Sequence, residues 1–167
     1  MKRREQARQI ALQALYQLDI RHEVVSPEIV EFLRESTKDP DVYFFARRLT
    51  EGAWGWREEA DKVIGQAAEH WRIERMATLD RNILRLAAYE IAECPDIPPR
   101  VAIDQAIELA KRFSAAESGA FVNGVLDRVL RLVKGEDAAK EELKAPPAAE
   151  EPAKEEPEAP PVAEAEA

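Results

Sequence analysis

Across 167 residues the chain carries 24 basic and 33 acidic side chains, a formal charge of −9, with one cysteine and two histidines. One cysteine excludes a disulfide framework and a thiolate metal cage, and no apolar run approaches the ~18 residues of a membrane span. The negative charge is local: residues 136–167 hold 11 acidic and 3 basic groups, a net of −8, leaving the first 135 residues at −1 with 21 basic and 22 acidic groups.

Lys2-Arg3-Arg4 is followed by Glu5-Gln6 with no apolar stretch, so no signal peptide is expected and the protein reads as soluble and cytoplasmic. The spacing predicts a helix over 4–20, with Ala7, Ile10, Ala11, Ala14, Leu15 and Leu18 as its core stripe. At 100° per residue, Arg8, Leu12, Tyr16 and Ile20 fall on or near the opposite side. A helix apolar on two faces requires either a later element over the second face or a docked partner protein, with Tyr16 as an amphipathic anchor. Lys2, Arg3, Arg4 and Arg8 gather at the front of this helix, either as solvated charges or as contacts for nucleic acid.

Ser26-Pro27 and Asp39-Pro40 each have the form of a helix start, with the polar residue as N-cap and the proline at the first helical position. Gly52 and Gly55 are expected to interrupt the stretch around Trp54 and Trp56, before a further helix near 56–68. The tryptophans are either a stacking platform for bases or, as is commoner at this spacing, core and rim packing. Thr78 is expected to cap a helix over 79–93 that is apolar around most of its circumference, as in the middle of a bundle. Glu90 falls on the apolar side of that helix, where a lone carboxylate is costly, so an arginine partner is expected. Cys94-Pro95-Asp96-Ile97-Pro98-Pro99 ends the helix in a rigid loop.

Two further helices follow. Ile103, Ala106, Ile107, Ala110 and Phe113 mark the first, and Val122, Val125, Leu126, Val129 and Val133 the second. Ser114 and Glu117 between them have the spacing of a capping box, and Gly135 offers a C-cap able to take φ > 0. Residues 136–167 are almost entirely Glu, Ala, Pro and Lys and hold 6 of the 11 prolines, so a disordered acidic tail is expected from 136 onward. The domains are therefore 1–135, an all-helical body, and 136–167, the tail.

Three segments in order carry a resemblance: RREQARQIALQALYQLD, LDRNILRLAAYEI, and VAIDQAIELAKRF with FVNGVLDRV beyond it. Together, over roughly residues 3–133, they resemble the NusB family of bacterial transcription antitermination factors. The resemblance implies an all-α bundle of about seven helices, arranged as two packed three-helix bundles. It also implies a function in which the protein pairs with the ribosomal protein NusE and binds single-stranded boxA RNA in nascent transcripts, notably ribosomal RNA. Other Nus factors and RNA polymerase are engaged indirectly, no membrane is involved, and a homodimer is an open possibility.

By the same resemblance Arg3, Arg4 and Arg8 belong to an RNA-contacting opening, and Glu117, Ser118 and Phe121 to the same RNA surface, with Phe121 placed to stack on a base. Leu12, Tyr16 and Asp80 belong to the protein-partner surface. Two alternatives stand beside this reading: a protein-only helical adaptor, and a relative of the RNA-binding module of RNA cytosine methyltransferases. The second needs a catalytic domain that a 32-residue tail cannot supply.

No chemistry of a catalytic kind emerges. His22 and His70 lack a His or Cys at i+3 or i+4, so no metal or other cofactor is expected, and neither GxxxxGK[ST] nor GxGxxG occurs. Asp104 with Glu108, beside Lys111 and Arg112, reads as a solvated ion-pair face rather than an acid/base pair. No enzyme is expected.

Overall fold

The computed structural model describes residues 2–22 and 24–144, and among these it has eight α-helices and no strand. They are α1 (Arg3–Arg21), α2 (Pro27–Glu35), α3 (Pro40–Gly55), α4 (Arg57–Ala67), α5 (Thr78–Glu93), α6 (Pro99–Phe113), α7 (Ser118–Lys134) and α8 (Glu136–Lys144), with a short 3-10 turn at Ile73–Arg75. Asp39 caps α3 by accepting from the Asp41 backbone N–H over 3.0 Å, while Ser26 sits at the N-cap of α2 without a side-chain bond.

The expected core stripe of α1 is buried along its whole length and packs against α3 and α5, with α2 bracing α1 and α3. On the other side α6 and α7 pack on each other and on α5, and α4 lies against α5 and α7. Helix α5 is thus the wall both groups share, which explains why Ile83, Leu84, Leu86, Ala87, Ala88 and Ile91 are all removed from solvent. A helix apolar on one stripe serves one core, whereas one apolar all round serves two.

Three local expectations are corrected. Thr78 is the first residue of α5, with Ala77 at the N-cap. Helix α3 runs through Gly52 and Gly55 and breaks only at Trp56. A Cβ at Gly52 would collide with the ring of Tyr89, so this glycine is there to let α5 approach α3. Residues 136–144, expected as disordered tail, form α8, with Ala139 fully buried and Leu143 packed on the core. Its sequence, EDAAKEELK, is built from strong helix formers with acids in the first turn and Lys144 in the last, so low hydrophobicity alone is a poor guide there. Gly135 supplies the corner between α7 and α8 at φ 89°. The remainder of the expected tail, 145–167, lies outside the described residues.

Candidate functional site

At the front of α1 the arginines part company. Arg3 is two-thirds exposed and reaches the carboxylates of Asp39 (3.0 Å) and Asp41 (2.7 Å) at the start of α3. Arg4 is mostly covered, its guanidinium 4.5 Å from the centre of the Phe45 ring, a cation–π distance. Beside it Arg48 grips Asp96 with two bonds of 2.8 and 2.6 Å, which hold the Asp96 carboxyl below the usual carboxylate range despite partial burial. Arg8, expected on the same surface as Arg3 and Arg4, is 1% exposed, and its Nε donates to Glu90 Oε1 over 2.8 Å, so its guanidinium faces the interior. The arginine that Glu90 required is this one.

Halfway along α1 lies an apolar groove of about 400 Å³ lined by Leu12, Gln13, Tyr16, Gln17, Leu79 and Phe113. Tyr16 and Phe113 stand at its rim, each more than a third exposed, whereas Leu12 is 2% exposed and forms part of the floor. Leu12, expected on the partner surface, is therefore in reach only through the groove.

The α6–α7 turn is held differently from the capping box expected for it. Ser114 Oγ donates to Asp80 Oδ1 over 2.6 Å and Ser118 Oγ to Asp80 Oδ2 over 3.2 Å, so both hydroxyls serve a tertiary tie to α5. Glu117, exposed, occupies the N-cap of α7 in an αR conformation with no side-chain cap bond. Asp80 is consequently turned into the turn rather than outward to a partner, and Ser118 is buried. Phe121 is half-buried, its ring edge-to-face with Trp71 at 5.7 Å and 67°.

A polar knot that the sequence reading missed fixes this end. Asp19 Oδ2 accepts from Arg81 (2.7 Å) and Asn82 (2.9 Å) and pairs with Arg85 (3.2 Å), and Arg85 also forks onto Asp61 of α4 over 2.7 and 2.8 Å. Burial works to raise the Asp19 pKa, but the hydrogen bonds from Arg81 and Asn82 and the nearby positive charges outweigh it, leaving the carboxyl below its ordinary range. The available signal was Asn82 and Arg85 set within an otherwise apolar helix.

Two pairings, Arg8 with Glu90 and Asp19 with Arg81, show that α1 and α5 run antiparallel. At ~1.5 Å per residue, α5 rises about 15 Å between Asp80 and Glu90. The arginines and the α6–α7 turn, expected to form one surface, therefore lie at opposite ends of the α1/α5 pair, with the groove on the α6–α7 side. No cluster of three or more potential metal ligands occurs among the described residues, and no helix there is long and apolar enough to cross a membrane.

Comparison with known proteins places this arrangement in context. The family model described as the NusB family matches residues 5–131. The transcription antitermination protein NusB of Symbiobacterium thermophilum is 46% identical over 146 residues, covering 83% of this chain and 95% of that protein. Its counterpart in Myxococcus xanthus is 46% identical over 134 residues, covering 77% and 95%. Among solved structures, T. maritima NusB superposes with a TM-score of 0.70 at 34% identity, covering 84% of this chain and 98% of that one. A crystal structure of the antitermination factors NusB and NusE in complex with dsRNA superposes with a TM-score of 0.71 at 30% identity, covering 79% and 98%.

Proposed function

The chain belongs to the NusB family, and from that membership we propose that it acts as a non-enzymatic, cytoplasmic transcription antitermination factor. It pairs with NusE and binds boxA-type RNA in nascent transcripts, notably ribosomal RNA. The observation that carries this reading is the match of the family model across residues 5–131, which takes in α1 from Glu5 onward, the groove and the α6–α7 turn together.

The groove of Tyr16, Leu79 and Phe113 supplies the protein-docking surface: apolar, concave and rimmed by aromatic side chains of the kind that anchor interfaces. Arg3, with Lys2 beside it, supplies phosphate contacts at one end of α1, and Arg4 adds to them from a more covered position. Glu117 and Phe121 flank the RNA path at the other end, while Ser118 and Asp80 act by holding the turn in place. The relative solved with NusE and RNA carries a duplex, whereas the reading for this chain is a single strand, and the two are separable by experiment.

The test is fluorescence anisotropy of a short boxA-like single strand, and of the same sequence as a duplex, with and without NusE at low and moderate salt. Salt-sensitive binding of the single strand that tightens with NusE supports the proposal. NusE association without RNA binding under any condition leaves a protein-only adaptor, a reading favoured by the burial of Arg8, which removes one of the three arginines from solvent.

A further inference from the structure

Among the described residues Trp71 is the largest apolar side chain left in solvent, with 60% of the residue exposed. It stands on the loop between α4 and α5, and that loop is pinned at both ends. Arg128 of α7 donates to the Ala67 carbonyl over 3.0 Å, and Arg81 donates to the Ile73 carbonyl over 3.3 Å. The Trp71 backbone N–H closes a turn onto Ala68 over 2.9 Å. An exposed indole on a loose loop needs no explanation, but an exposed indole on a braced one is presented.

Its surroundings narrow what it is presented to. One side meets the edge-to-face contact with Phe121, and alongside lies a shallow depression whose lining includes Asp61, Glu69, His70, Trp71, Arg72 and Glu74, so carboxylates as well as a guanidinium border it. A Cβ at Gly65 or Gly124 would touch nothing, so neither helix crowds the space. Arg72 and Arg75 are exposed close by in sequence, and Arg128 lies two turns along α7 from Phe121, on the same helix stripe and also exposed. A protein-docking patch surrounds its aromatic anchor with other apolar side chains, as the Tyr16 groove does. Here a single indole rises among charged and polar groups, the combination that single-stranded nucleic acid uses: a π-face for the base and guanidiniums for the backbone.

We propose that Trp71, backed by Phe121, is a stacking platform for one unpaired RNA base, with Arg128 and Arg72 set to meet the adjoining phosphates. This rests on the RNA-binding reading above and adds to it the residue that carries the stack. Phe121 is half-buried against the indole and serves as its support, so Trp71 is the more accessible ring of the pair.

The experiment compares the full chain with its Trp71→Ala and Trp71→Phe variants in binding the boxA-like strand in the presence of NusE. Thermal melts serve to check that each variant folds. Trp71→Ala is expected to lose roughly 5- to 100-fold in affinity, with Trp71→Phe retaining most of it because a ring remains. In a series of strands each carrying one abasic position, a single position should reproduce the loss, and that loss should not add to the loss from Trp71→Ala. Binding of the duplex should be unchanged by either variant. Wild-type binding that Trp71→Ala leaves intact overturns the platform alone, as does a loss of NusE association with RNA affinity unchanged. Absence of RNA binding by the wild-type chain overturns the RNA reading itself and the platform with it.

Discussion

Arg8 and Glu90, 82 residues apart in sequence, meet at 2.8 Å with both side chains about 2% exposed. This contact joins the front of α1 to the back of α5 and turns what looked like a surface arginine into part of the core. Removing either partner takes this charged hydrogen bond out of a low-dielectric interior. Arg8→Met is expected to cost about 3–5 kcal/mol in urea unfolding, and Arg8→Met with Glu90→Met less than either change alone. Any loss of RNA affinity in Arg8→Met should track the unfolded fraction and leave the salt slope of the folded protein unaltered.

Arg3 is expected to behave in the opposite way. It is exposed and held by surface ion pairs to Asp39 and Asp41, which contribute little to stability. Arg3→Ala should leave the melting curve nearly unchanged and reduce the slope of log affinity against log salt by about 0.7 for a single strand. An unchanged slope would place the RNA away from this end of α1.

At the groove, truncation should act on partner affinity alone. Tyr16→Ala and Phe113→Ala each remove a rim aromatic that is already more than a third exposed, so the fold tolerates them. Titration calorimetry against NusE is expected to show a loss of about 2 kcal/mol or more for at least one of them, as for a central aromatic anchor. Equal affinity in both variants would move the docking surface elsewhere.

Stability should fall in acid through two carboxylates. Asp96, held by Arg48, and Asp19, held by Arg81 and Asn82, both sit below the ordinary carboxylate range in the folded chain. Between the folded and unfolded values the unfolded chain binds more protons, so stability rises with pH across that window. Their contribution is complete above about pH 4 and is lost as pH falls through the folded values. Asp96→Asn should be less stable than wild type at pH 7, and its midpoint in urea should change less between pH 5 and pH 3.

Much of the fold was legible because its signals are local. The 3.6-residue stripe of α1, the prolines opening α2 and α3, and the all-round apolarity of α5 announce themselves within a few turns. The departures share one cause, which is that a local pattern has more than one tertiary use. Ser114 and Glu117 have the spacing of a capping box, yet a carboxylate 34 residues upstream takes the Ser114 hydroxyl. Gly52 looks like a helix breaker and is instead a seat for Tyr89. Arg8 was legible as basic and Glu90 as needing a base, but nothing in one sequence links position 8 to position 90. The exposure of Trp71 is likewise a property of how the α4–α5 loop is pinned, and its neighbours in sequence do not encode it.

Helix α5 has a consequence for how the molecule comes apart. Because it closes the cores on both sides, neither group of helices keeps a complete interior once α5 leaves, and the body has no cut point that yields two stable fragments. Melting is then a single cooperative event. A ligand held at either end of α1 is felt as a gain in the stability of the whole body rather than of its own half. Amide protons of Leu84 through Ala88 should exchange only through global opening, and so report occupancy at the groove or at the arginines equally well.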